Sequence, residues 1–361
     1  MVLVTGGTGF LGSYILYYLL KEHERVRATY RKRDKGEPVD ENTAFIFTHL
    51  FKTEGHHLSQ NEAEHKTKSF LSRIDWQEAD LLDTEALWDA AEGVDQIFHS
   101  AALVSFNKKR RTEVLRNNIE GTANIVNICL EKNISLFYVS STAALEDPVP
   151  LPSLPVSIQP VNESFISDPK KFHSAYAESK YKSEMEVWRG ITEGLNAVII
   201  NPGIILGWGD FHRTSLSVFP VFAKGLPFYP SGSNGFVDVR DVAQILIALS
   251  KNKEAYGQRF VIVAENLTYL EVFEKIALAF GKKPPRIPVP KMAALTAQKL
   301  LSLMDMFSGK EPFATRELIH SSYRKVEYDA SKIKNFLHYN FIPLEKTIRD
   351  SVEAYLTEKE V

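Results

Sequence analysis

A phenol and an ammonium stand four residues apart in Ser174-Ala175-Tyr176-Ala177-Glu178-Ser179-Lys180, within a stretch, 171–190, rich in good helix formers. On a helix that spacing puts Tyr176 and Lys180 on one face. A phenol, with a pKa of about 10, is a poor acid or base at neutral pH, but a neighbouring ammonium stabilises the phenolate and lowers that value. Tyr176 would then exchange a proton with a substrate oxygen. Tyr-x-x-x-Lys is common by chance, so its weight rests on what accompanies it.

Upstream, the apolar run of Tyr138-Val139-Ser140-Ser141-Thr142 emerges into hydroxyl residues. A hydroxyl at such a strand end can polarise a carbonyl. Ser141 is the expected donor, Thr142 the alternate, and Ser140 the residue that points away or satisfies backbone. Asn118, in Asn117-Asn118-Ile119-Glu120-Gly121-Thr122, sits on the preceding helix, where its amide would order that helix and a water; Asn117 reads as a helix-start residue.

These side chains need a scaffold that brings strand ends to one edge. Val2 to Thr5, Val26 to Tyr30, Gln96 to His99, Leu136 to Ser140 and Ala197 to Asn201 are short apolar runs separated by helix-length segments. That alternation predicts βαβ units, a parallel sheet and an α/β fold of doubly wound type. Parallel strands are covered on both faces, hence the continuously apolar 136–139 and 197–200. Their C-terminal ends should carry the chemistry.

The first turn, Thr5-Gly6-Gly7-Thr8-Gly9-Phe10-Leu11-Gly12, lies between a predicted strand and the apolar helix 13–20. Gly6 permits the tight turn, Gly9 lets backbone approach a pyrophosphate, and Gly12 allows close helix packing, while the helix N-terminus offers oriented N–H groups. Dinucleotide contacts are therefore expected from Gly6, Thr8, Gly9, Phe10, Leu11 and Gly12. The second strand ends not with the acid that favours NAD but with Arg31, followed by Lys32 and Arg33. Cations there suit a 2′-phosphate, so NADP(H) is the expected cofactor and NAD(H) the alternative. Asp80, beside Leu81, would accept a hydrogen bond from the adenine amino group, since Asp83-Thr84 suits a helix cap better. Ala101 and Ala102 follow the fourth strand, where small side chains let a cofactor lie close. His99 reads as structural. Lys180 would also hold the nicotinamide ribose.

Taken in order, TGGTGFLG, Asp80-Leu81, Asn118-x-x-Gly121-Thr122, Ser140-Ser141, YAESK and Pro202-Gly203-x-x-x-Gly207 resemble the extended short-chain dehydrogenase/reductase family over roughly the whole chain. The resemblance implies a Rossmann domain with a smaller C-terminal substrate domain, Ser141, Tyr176 and Lys180 as the catalytic trio, and Pro202, Gly203 and Ile204 lining the nicotinamide. It also implies a homodimer, paired through helices near 112–132 and 172–193. Residues 26–31 and 236–243 look like the dihydroflavonol reductase and 3β-hydroxysteroid dehydrogenase-like branch, which reduces carbonyls with NADPH. Where sugar-nucleotide epimerases usually place a diphosphate-binding Arg, this chain reads Ser233-Asn234-Gly235, and Thr142-Ala143-Ala144 lacks a dehydratase's acids. The expected activity is reversible hydride transfer between NADP(H) and an aldehyde or ketone of fairly apolar character. The alternatives are an NAD-retaining epimerase or dehydratase, with Arg213, Arg240, Lys282, Lys283 or Arg286 binding phosphate, and a non-catalytic nucleotide sensor. Sensors usually lose the Tyr and Lys retained here.

The expected division is 1–202 for the nucleotide domain, with 236–264 returning to it, and 203–235 plus 265–361 for the smaller domain. The polar excursion from Arg33 to about Ser72, around apolar 45–51, reads as a lid or contact arm beside the cofactor edge. Pro-rich 146–160 reads as a surface loop bordering the substrate, and amphipathic 292–307 as a domain-packing helix. Phe219, Phe222, Phe228 and Tyr229 suit an apolar pocket or core packing equally. A net charge of -2, from 43 Lys+Arg against 45 Asp+Glu, offers no global field for nucleic acid or an anionic membrane. The lone Cys129 reads as a buried thiol, and the histidines 49, 56, 57 and 65 form no metal-ligand pattern. With no run of membrane-spanning length, a cytoplasmic protein is expected.

Overall fold

The computed structural model describes residues 1–31, 41–55, 58–145, 160–168, 172–308 and 315–360. Lys32, Arg33 and residues 146–159 of the Pro-rich stretch lie outside them. The first part of the chain alternates β1 (Val2–Thr5), α1 (Phe10–Glu22), β2 (Val26–Tyr30), α2 (Glu41–Glu54), α3 (Gln60–Leu71), β3 (Ile74–Glu78), α4 (Thr84–Ala90), β4 (Gln96–His99), α5 (Arg111–Lys132), β5 (Ser135–Val139), α6 (Ala175–Thr192) and β6 (Ala197–Pro202). There follow β7 (Ile204–Leu206), α7 (Val218–Lys224), β8 (Phe228–Tyr229), β9 (Ser233–Asp238), α8 (Val239–Ser250), β10 (Gln258–Ile262), β11 (Glu265–Thr268) and α9 (Tyr269–Ala279). The chain ends with β12 (Ile287–Pro288), α10 (Lys291–Ser308), α11 (Arg316–Ser322), α12 (Ser331–Leu337) and α13 (Leu344–Glu360).

Seven strands form one parallel sheet in the order β10-β6-β5-β4-β1-β2-β3. Alternate residues serve opposite faces. Leu3, Ile97, Leu136, Tyr138 and Ile199 join Ile125, Val126 and Val187 of α5 and α6; Val4, Phe98, Phe137, Val198 and Ile200 join α1 and α8 on the other face. This is the doubly wound α/β fold that the apolar runs require. Cys129 lies fully buried, where burial pushes its thiol up and away from thiolate chemistry.

Strand β10 pairs with β6, and β9 pairs with β7 and β11 in a separate three-stranded sheet. Helix α8 begins at Val239, where Asp238 caps it by accepting from Arg240 N, and Phe236 to Asp238 finish β9.

The excursion expected to form a lid contains α2 and α3, which belong to the core. Ile46, Phe47 and Leu50 are fully buried, and Tyr17 of α1 packs on Phe51 at 5.1 Å, itself 4.8 Å from Phe70. The Tyr18 hydroxyl donates to Glu54 at 2.6 Å. Burial of that aromatic cluster outweighs the segment's polar average. By contrast α10 has no fully buried residue between 291 and 299 and lies against α11, so its first half contributes less packing than its pattern suggested.

The β1–α1 turn is set by contact distances. Gly6 has φ +71°, and a Cβ there would come within 2.8 Å of the Ala101 Cα; a Cβ on Gly12 would come within 2.0 Å of the Gly6 carbonyl oxygen. We expect Gly12→Ala to push α1 off the turn, lowering thermal stability by about 2 kcal/mol or more and abolishing nucleotide binding; thermal melts and a nucleotide titration check both.

Candidate active site

Four loops meet at the C-terminal edge of the sheet, after β1, β4, β5 and β6. Helix α6 runs past that edge because Ser174 caps it, its hydroxyl accepting from Ala177 N at 3.0 Å. Tyr176 and Lys180 then follow one turn apart. Lys180 is buried, 4% exposed. Its ammonium donates to the Val139 carbonyl at the end of β5, 2.8 Å away, and stands 5.1 Å from the centre of the Tyr138 ring. Burial lowers its pKa to about 8, with Glu184 opposing the fall.

Ser141 lies just beyond β5, after Ser140. Its carbonyl accepts from the Asn201 amide at 3.0 Å and its hydroxyl from Ala143 N at 3.1 Å, which starts the helical turn of 142–145. The same hydroxyl interacts with the Tyr176 phenol, and the ring of Phe106, from the loop after β4, meets Tyr176 edge-on at 5.9 Å. Ser140 points elsewhere, donating to Glu184 at 2.7 Å, and Thr142 is buried. Ser141, Tyr176 and Lys180 thus share one edge.

One expectation needs correcting. The Lys180 ammonium was expected to lower the Tyr176 pKa, yet here burial raises it and the interaction with Ser141 is what opposes the rise. Lys180 donates to Val139 instead. At neutral pH Tyr176 is therefore a protonated phenol.

Asn118 acts as a clamp. Its amide oxygen accepts from Leu103 N at 2.7 Å, and its nitrogen donates to the Leu103 carbonyl at 3.0 Å and to Ser179 Oγ at 2.9 Å. Ser179 in turn donates to the Tyr176 carbonyl at 2.8 Å. Asn118 therefore joins the β4 loop to α6. His99 bridges Thr5 Oγ1 at 2.7 Å and Thr122 Oγ1 at 3.2 Å; complete burial holds its pKa down to about 3, so it stays neutral and structural.

Among the residues expected at the nucleotide, Ala101 lies against the glycine turn. Gly9 caps α1 without a side-chain hydrogen bond, and no acidic residue stands in the first turn, so the helix N-terminus presents N–H groups suited to a pyrophosphate. With Gly9 exposed, and Gly6 and Gly12 drawn tight against Ala101 and the turn's own backbone, this cradle fits a dinucleotide. Thr8 is half-buried beside Gly9, and Leu11 is buried. The Phe10 ring turns into the fold, 5.8 Å from Tyr14, leaving its backbone for the ligand. Ala101 lies against Gly6, with Ala102 following it. Asp80 Oδ1 accepts from Leu82 N at 2.9 Å, the Leu81 carbonyl accepts from Asn124 at 2.9 Å, and Asp83 caps α4. Pro202 closes β6, Gly203 N bonds the Ile262 carbonyl at 3.1 Å, and Ile204 opens β7 half-buried. Arg31 is exposed at the end of β2, near enough to Glu113 that its charge, after that of Arg110, holds the Glu113 carboxyl down.

A family model described as male sterility protein, an NAD-binding family, matches residues 4–252. The chain belongs to this family. It is an NAD(P)-dependent oxidoreductase of the extended short-chain dehydrogenase/reductase type. The putative dihydroflavonol 4-reductase of Synechocystis sp. is 27% identical over 98% of this chain and 93% of its own length. Tetraketide alpha-pyrone reductase 2 of Arabidopsis thaliana is 29% identical over 78% of this chain and 83% of its own. The solved UDP-glucose 4-epimerase of Thermus thermophilus has the same fold, with a TM-score of 0.66 at 20% identity, covering 98% of each chain.

Sequence reasoning missed Phe106 and Arg259 and gave Glu184 no role. Glu184 stands four residues after Lys180, a spacing that could have marked it. Phe219 and Phe222, weighed for a substrate pocket, are fully buried against Phe211 and Phe273 and belong to the core. Removing the phenol while keeping the ring should isolate the proton: Tyr176→Phe is expected to lower kcat/KM by about 10²–10⁴ with cofactor affinity nearly unchanged, checked by steady-state kinetics and a nucleotide titration.

Proposed function

We propose that this oxidoreductase reduces an aldehyde or ketone with NADPH. The observation that carries the reading is the convergence of Ser141, Tyr176 and Lys180 at the sheet edge beside the glycine turn. When bound, the cofactor's nicotinamide would supply hydride to the carbonyl carbon. The Ser141 and Tyr176 hydroxyls bind the carbonyl oxygen, and Tyr176 gives up its proton as negative charge builds there. Ser141, hydrogen-bonded to the phenol, stabilises the phenolate left behind, and Lys180, charged and one turn away, would hold the ribose. Gly6, Thr8, Gly9, Phe10, Leu11 and Gly12 would hold the pyrophosphate through backbone, Asp80 and Leu81 would bind the adenine, Ala101 and Ala102 would let the cofactor lie close, and Pro202, Gly203 and Ile204 would line the nicotinamide. Asn118 positions rather than reacts.

Both relatives named above are reductases, which supports this direction. Against a sugar-nucleotide reading, Arg240 is no phosphate ligand: it is 3% exposed and locked to Asp238 at 2.6 Å and Asp350 at 2.7 Å. Arg213 pairs with Asp210 at 3.0 Å. Among the described residues no helix is long and apolar enough to cross a membrane.

Preference for NADPH rests on Arg31, an exposed guanidinium where a 2′-phosphate would lie. Arg31→Ala should raise KM for NADPH by about tenfold, roughly 1.4 kcal/mol, and leave NADH nearly unaffected. Absorbance assays over a panel of aldehydes and ketones with each cofactor test both statements; tightly retained NAD without turnover of any carbonyl would overturn the reading.

A further inference from the structure

Glu184 is a charged side chain that the reductase chemistry leaves unused, yet it is 1% exposed and lies one turn beyond Lys180 on the same face of α6. Its Oε2 accepts from Ser140 Oγ at 2.7 Å and Asn201 Nδ2 at 2.8 Å, and its Oε1 from Arg259 Nη1 at 2.9 Å and Trp188 Nε1 at 3.3 Å. Two of those donors flank the site. Ser140 precedes Ser141, and the Asn201 amide that bonds Glu184 also bonds the Ser141 carbonyl at 3.0 Å.

Arg259 completes the unit from β10. Its Nε donates to the Glu163 carbonyl at 2.8 Å and its Nη2 to the Phe165 carbonyl, while Nη1 takes Glu184. Burying a carboxylate costs several kcal/mol unless it is paired and hydrogen-bonded, as this one is. We propose that Glu184, held by Arg259, is a positioning residue: it fixes the strand end carrying Ser141 and keeps the Lys180 ammonium charged. This rests on the reductase reading for its consequence but not for its geometry.

Lys180 is faced by Tyr176 and Glu184 on α6, Tyr138 and the Val139 carbonyl on β5, and His99 on β4. His99 stays neutral, and burial holds the phenols of Tyr138 and Tyr176 protonated. Glu184 is therefore the anionic neighbour that opposes loss of the Lys180 proton.

The test is Glu184→Gln, which keeps shape and removes charge. The 13Cε resonance of Lys180 in 13C-lysine-labelled protein, assigned with Lys180→Arg, should titrate about one pH unit lower than in wild type, and the alkaline limb of kcat/KM should move down by as much. If Glu184→Gln does not fold, Arg259→Gln decides instead: with its cation gone Glu184 is no longer held as a paired carboxylate, and the Lys180 titration should again move to lower pH. A wild type that reduces no carbonyl defeats the reductase reading alone, because the resonance still decides this one. A variant that loses thermal stability while the Lys180 titration stays in place would make Glu184 merely structural and overturn the proposal.

Discussion

An ammonium kept inside the protein is the constraint on which the rest of the site depends. Lys180 is 4% exposed, and an isolated charge at such depth costs several kcal/mol. The structure offsets that cost from three directions at once. The Val139 carbonyl accepts a hydrogen bond from it, the Tyr138 ring lies within reach of its charge, and Glu184 supplies an anion from one turn along. None of these survives if α6 slides by a residue against β5. Close placement of the helix is thus a condition of burying the charge, and Tyr176 inherits its position from the same register.

Distant segments enforce that register. The Asn118 amide ties the loop after β4 to Ser179, and Ser179 holds the Tyr176 carbonyl. From the other side, Asn201 at the end of β6 spans Ser141 and Glu184. The Ser141 and Tyr176 hydroxyls are therefore set by strands β4, β5 and β6 together, which parallel pairing keeps at fixed spacing. Few of the hydrogen bonds are strong alone. Their effect comes from sharing partners, so that a shift in one is felt by the next.

What could be read from the chain divides along physical lines. Strands β1, β5 and β6 are legible because burial on both faces demands apolar runs, β2 and β4 because they recur at helix-length spacing between them, and the Gly6 to Gly12 turn because its glycines stand where side chains would collide. Ser141, Tyr176 and Lys180 are legible because each sits at a predictable place on a strand end or helix face. The Glu184–Arg259 pair joins residues 75 apart in sequence, and nothing local announces such a partner. Helices α2 and α3 read as a lid because their average polarity hides a single aromatic stripe, Phe47, Phe51 and Phe70, that closes on Tyr17. The pKa of Tyr176 escapes the sequence for a related reason: spacing gives proximity to Lys180, whereas burial, which dominates, is a property of the whole fold.

That last difference bears on direction. A phenol pushed up by burial is an acid at neutral pH, not a base. Reduction of a carbonyl asks for an acid beside the oxygen, and oxidation of an alcohol asks for a base. The site at rest therefore already holds the proton that the proposed reduction would consume. As pH rises through about 8 Lys180 loses its charge, and its attraction to Glu184 goes with it. Running the reaction backwards requires Tyr176 to ionise first, and burial makes that step costly. Burial, which raises the Tyr176 pKa, thus makes the resting phenol a proton donor.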